Sequence, residues 1–138
     1  MKSSKLEMNK TNAINTIVHR MSIINTIERP YLKWLTSGEK TAEGRINTSA
    51  RRKMKVGEHV FLFNEKENQN ILGIILFKHE YKTFREMLIT EGVSNMLPFL
   101  KSNELAQAIK VYESFPGAER VKKFGCVAIG IKVIKSQL

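Results

Sequence analysis

The sequence predicts an α+β domain: a small, mostly antiparallel β-barrel with helices inserted before its last strand. Three observations carry this. The apolar segments are short and β-branched, without regular strand–helix alternation, which disfavours a parallel sheet. The clearest helical patterns cluster between residues 83 and 115, ahead of a final apolar run, "FGCVAIGIKVI". A chain of 138 residues with 42% apolar content fits one domain with one core.

The elements follow in order. Residues 1–20, "MKSSKLEMNKTNAINTIVHR", are polar and aperiodic and read as a flexible basic arm, leaving 21–138 as the folded domain. "MSIINTI" reads as a first strand. "ERPYLKWLTSG" reads as a short helix, with Pro30 suited to its first turn, Tyr31, Trp34 and Leu35 on one face, and Gly38 as its stop. "GEKTAEGR" then runs extended, with Thr41, Glu43 and Arg45 on one face and Lys40, Ala42 and Gly44 on the other. Glu43 and Arg45 can pair there, and Lys40 reaches them only if the chain turns near its start. "INTSARRKMKVGEH" is a basic loop, "HVFLFN" a strand, "EKENQN" a hairpin loop and "ILGIILFKHEYK" a buried strand. "TFREMLITEG" is a helix with a Thr83/Glu86 capping box and a Phe84, Met87, Leu88 stripe. "VSNMLPFL" is a second short turn or helix around Pro98. "KSNELAQAIKVYESF" is a helix capped at Ser102 or Asn103, with Leu105, Ala108, Ile109 and Tyr112 on its buried face.

Charge narrows the partners. The net charge is +10, which fits a polyanionic partner (RNA, DNA, a nucleotide or an anionic membrane surface) or a basic surface that only keeps the protein soluble; RNA, single-stranded nucleic acid or a nucleotide is the expected partner. The basic residues cluster: Arg45, Arg51, Arg52, Lys53 and Lys55 form an acid-free run, and Arg120, Lys122 and Lys123 a second group. No apolar run is long enough to span a membrane, and the first twenty residues lack a secretory pattern. The lone Cys126 sits in an apolar strand and reads as a small buried hydrophobe in a reducing, cytoplasmic setting. His19, His59 and His79 are too scattered for a metal site, and no cofactor motif is present.

"SGEKTAEGR" carries a resemblance to a known family. Gly38, Lys40, Thr41, Glu43 and Arg45 resemble the signature of ASCH domains, a group of PUA-like barrels. "KVGEHVFLF", "YKTFREMLITEGVSNMLP" and "FGCVAIGI" are similar to further blocks of that family, so the resemblance covers about Met21 to Ile134. It implies a PUA-like barrel with a cleft between barrel and helices, and RNA-related work. It also implies an alternative, a hydrolase: some members are amidohydrolases acting on N4-acetylcytidine, others ribonucleases. In the amidohydrolases the signature supplies a Lys and a Thr, and a later segment a Glu. Lys40 matches the Lys and Glu91 falls close to the later Glu, but Glu43 stands where the catalytic Thr would be.

The candidate site therefore comprises Lys40, Glu43 and Glu91 for chemistry, and Lys40, Thr41, Glu43, Arg45, Arg51, Arg52, Lys53 and Tyr81 for ligand or RNA contact. Arg45 suits a phosphate. Lys40 suits a carbonyl or phosphoryl oxygen. Glu43 suits a proton or an exocyclic amine. Tyr81 and Tyr112 are candidates to line a cleft or stack a base, whereas Trp34 and Phe84 read as core. A purely structural reading stands beside this one: a Glu43–Arg45 ion pair that anchors the strand, with Lys40 in solvent.

Overall fold

The computed structural model describes residues 16–66 and 68–138. Residues 1–15, most of the expected arm, lie outside them. Strands β1 (Val18–Ser22), β2 (Ala42–Ile46), β3 (His59–Asn64), β4 (Gln69–Tyr81) and β5 (Cys126–Gln137) form one curled sheet in the order β1-β3-β4-β5-β2. The β1–β3 pair is parallel and every other pair antiparallel. The result is a half-barrel whose two edges are β1 and β2.

Curvature comes from the long β4–β5 ladder. Its register shifts at Leu72/Gly73 and again at Ile75/Phe77, and such irregularities bend and twist the strands. Gly130 permits the second bend, because a Cβ there would lie 2.1 Å from the Phe77 ring.

Helices α1 (Tyr31–Ser37), α2 (Ser49–Arg52), α3 (Phe84–Glu91), α4 (Val93–Met96), α5 (Leu105–Glu113) and α6 (Val121–Phe124), with a 3-10 turn at Ala118–Arg120, fill the connections. Gly38 ends α1 in the left-handed region at φ 88°. Half of the capping box forms: Thr83 Oγ1 accepts from the Glu86 N–H at 3.1 Å, while the Glu86 carboxylate accepts from the N–H of Lys82, one residue before the N-cap, at 3.1 Å. Phe84, Met87 and Leu88 are buried as the stripe requires. Cys126 is buried in the core, and burial pushes its thiol up to about 12. No helix among the described residues is long and apolar enough to cross a membrane.

Three expectations are corrected. The first strand lies earlier than "MSIINTI": Val18, His19 and Arg20, assigned to the arm, belong to β1, paired Val18↔His59 through Ser22↔Phe63. The basic loop contains the one-turn helix α2. Helix α5 is not capped by Ser102 or Asn103; Glu104 takes the N-cap position, and its carboxylate accepts from the Lys101 N–H at 2.8 Å.

Candidate functional site

The two sheet edges do not pair, and the gap between them is a cleft of about 770 Å³. One wall is the chain that continues from β1, Ser22–Thr26; the other is β2 with α2. Asn25 fixes the first wall: its side-chain oxygen accepts the Leu32 N–H at 2.8 Å, and its amide donates to Gln69 at 2.9 Å. Asn64 holds the Asn25 carbonyl at 3.1 Å. One side chain bridges the gap. Arg45 Nη2 donates to the Ser22 carbonyl at 2.7 Å.

Behind Arg45 the charges stack inward. Arg45 Nε donates to Glu43 Oε2 at 2.9 Å, confirming that the two share a face. Glu43 Oε1 lies 3.7 Å from Lys40 Nζ. The turn at Gly38, where both the Gly38 and Lys40 N–H groups donate to the Trp34 carbonyl at 3.0 Å, swings Lys40 inward. Lys40 is not in solvent, as the structural reading required; it is only 1% exposed. Its ammonium donates to the Met96 carbonyl and sits 5.4 Å from the centre of the Tyr31 ring. Burial lowers its pKa, with Glu43 opposing the shift.

Arg51 joins this group from α2. The helix is too short to stand alone, and Lys78 secures its C-terminal end, donating to the carbonyls of Arg51 at 2.7 Å and Met54 at 2.8 Å. Burial lowers the Arg51 pKa, and the neighbouring Arg45 guanidinium lowers it further. An arginine stays charged regardless, so two guanidiniums face one space. Arg120 lines the same cleft.

The rear wall is aromatic. Tyr112 stacks on Phe84 with ring centres 5.5 Å apart and meets Phe115 edge-on at 5.4 Å. Gly44 makes room for it, since a Cβ there would stand 2.8 Å from the Tyr112 ring and hydroxyl. Phe115 is the half-buried member of the group. Tyr31, only 6% exposed, also lines the cleft, with the Arg29 side chain near its hydroxyl. Burial raises its pKa, and the Arg29 charge works against that shift.

Lys40, Glu43, Arg45 and Arg51 thus converge. The other expected residues do not. Thr41 is exposed, its N–H held by the Asn95 carbonyl at 2.9 Å. Arg52 turns away and lies over the Phe124 ring, 5.9 Å from its centre, and Lys53 is exposed. Glu91 accepts from the Tyr81 hydroxyl and contacts His79 Nδ1 at 2.7 Å, outside the cleft. Burial and this carboxylate raise the Tyr81 pKa. Tyr112 is buried within the wall, so the aromatic edge open to a ligand is that of Phe115. Among the described residues no group of three or more His, Cys, Asp or Glu stands close enough to hold a metal ion. Sequence reasoning missed Tyr31, Phe115 and Lys78. Only Lys78, a lone cation in an apolar strand, carried a signal that could have revealed it.

Comparison with known proteins agrees with the fold. The family model for the ASCH domain matches residues 26–135. The crystal structure of hypothetical protein PH0355 is 33% identical, with a TM-score of 0.72, covering 86% of this chain and 100% of that one. The solution structure of PF0455 from Pyrococcus furiosus is 31% identical, with a TM-score of 0.64, covering 86% of this chain and 99% of that one. Protein EF3133 from Enterococcus faecalis V583 shares the fold at 8% identity and a TM-score of 0.59, covering 97% of this chain and 95% of that one. No curated protein matches the chain.

Proposed function

We propose that this chain, which belongs to the ASCH domain family, binds RNA by taking one of its nucleotides into the cleft between the two sheet edges. The observation that carries the reading is the charge arrangement around Glu43. Lys40, Arg45, Arg51, Lys66 and Arg120 line the cleft against two carboxylates, Glu43 and Glu65, and Glu43 is already engaged by Lys40 and Arg45. Positive charge in excess of its internal partners, at a concave and partly desolvated site, favours a bound anion.

The cleft volume suits a nucleotide. A phosphate would meet Arg45 and Arg51. A base would lie along the edge of Phe115, beside Tyr31. The net charge of +10 supports a polyanion over a free nucleoside.

The geometry gives hydrolysis less support. Glu43, in the position of the family's catalytic Thr, is held by two cations; Thr41 is exposed elsewhere, and Glu91 is engaged with His79 and Tyr81.

The test is fluorescence anisotropy with a randomised 12-nucleotide RNA, for the parent and Arg51→Ala, over a range of salt. The parent should bind, more weakly as salt rises, and the variant should bind about tenfold less tightly. No binding by the parent, or equal binding by both proteins, overturns the reading.

A further inference from the structure

The segment that walls the cleft has a second side. Along Asn47–Thr48 successive side chains face opposite ways: Thr48 lines the cleft, Asn47 a separate groove. One turn later the division repeats, because neighbours on a helix point about 100° apart. Arg51 faces the cleft and Arg52 the groove. The facing segment does the same, with Arg120 in the cleft and Lys122 and Lys123 in the groove.

The groove is strongly basic. Arg52, Lys82, Lys122 and Lys123 line it against one carboxylate, Glu80. Phe124 is half-buried at its floor, with Lys123 Nζ 5.2 Å and the Arg52 guanidinium 5.9 Å from the ring centre. Asn47 supplies an independent observation. It is 4% exposed, its N–H donates to the Gly125 carbonyl at 3.0 Å, and its side-chain oxygen has no hydrogen-bond partner. A buried acceptor without a donor is costly. A groove that combines it with four cations matches a ligand carrying both a phosphate and a hydroxyl or amine donor.

From this we infer that the groove is a second RNA site, in which Arg52, Lys122 and Lys123 hold a backbone phosphate and Asn47 accepts a hydrogen bond from a ribose 2′-hydroxyl. The two sites lie back to back across α2, so one strand crossing that turn meets both. This rests on the reading of the cleft as a nucleotide site and makes the ligand an RNA strand instead of a free mononucleotide. The 2′-hydroxyl is the group that distinguishes RNA from DNA.

The experiment compares the parent, Arg52→Ala/Lys122→Ala/Lys123→Ala, Asn47→Leu and Arg51→Ala. Each is titrated with randomised 12-nucleotide RNA, the equivalent DNA, and an equimolar mixture of the four ribonucleoside 5′-monophosphates. The triple variant changes only partly or wholly exposed side chains, so its fold should persist, which a melting curve verifies. It should bind RNA about tenfold less tightly or worse, with a salt slope flatter by about 2, and keep the share of monophosphate binding that the cleft supplies. Asn47→Leu should lose preference for RNA over DNA. Parent-like RNA affinity and slope in the triple variant, with binding lost in Arg51→Ala, would overturn the groove and leave the cleft standing. Complete loss of monophosphate binding in the triple variant would overturn the groove as a site separate from the cleft. A parent that binds neither ligand overturns the cleft and the groove together.

Discussion

Lys40 and Met96 are 56 positions apart in the chain, yet the Lys40 ammonium donates directly to the Met96 carbonyl. The contact ties the turn after α1 to the end of α4, and it sets the depth at which Glu43 and then Arg45 are held. The cation nearest the core is therefore structural in its contacts, while Arg45 and Arg51 lie nearer the opening of the cleft.

Lys40→Ala should consequently destabilise the fold by about 3 kcal/mol, because it leaves a cavity and deprives the Met96 carbonyl of its donor. Lys40→Met, which keeps the volume, should cost less, since Arg45 still holds Glu43. Urea melts of both variants check this. An unchanged midpoint in Lys40→Ala would mean that the ammonium is not buried against these groups.

Gly44→Ala should cost roughly 1–3 kcal/mol. The added methyl must displace the Tyr112 ring or hydroxyl, each 2.8 Å away, or the Met87 methyl at 3.0 Å. Moving Tyr112 also moves the wall that Phe115 leans on, so RNA binding should weaken along with stability. A thermal midpoint equal to the parent's would show that the wall yields freely.

High pH should destabilise the protein with a defined sign. The folded-state pKa of Cys126 lies above its usual 9.0, at about 12. Its contribution is fully present below about 9 and is lost as pH rises toward 12, at up to about 1.4 kcal/mol per pH unit. Tyr31 and Tyr112, both raised by burial, act in the same direction above 10.0. Lys40 acts oppositely: its lowered pKa returns stability as pH rises toward 10.5. Urea midpoints measured from pH 8 to 11 should fall, and fall less in Cys126→Ala. Identical pH profiles would show that the thiol does not titrate with unfolding.

Much of the fold was legible from local patterns. "HVFLFN" matches β3 residue for residue, and Thr83 and Glu86 mark the start of α3. Strand β1 was not legible, because only Met21 of its five residues is buried and the strand exists by pairing with β3. In the site, the i,i+2 spacing of Glu43 and Arg45 gave their pairing directly. The burial of Lys40 depends on a turn and on Met96, far along the chain, and charged residues are rarely buried so fully. Glu91 did stand out, as an acid at the C-terminal end of a helix. Its partners His79 and Tyr81 come from the end of β4, a pairing that only the fold-back of α3 creates. Arg51 and Arg52 look alike in sequence and differ only by the angle between neighbours on a helix.

The most direct test of the central claim is an NMR titration of the labelled protein with a short single-stranded RNA, read at the backbone amides. The account predicts the largest shifts at Ser22–Thr26, Gly44–Thr48 and Arg51, the two walls that Arg45 bridges, with Arg120 beside them. Shifts confined to residues outside these walls, with Gly44–Thr48 unmoved at saturating RNA, would contradict it.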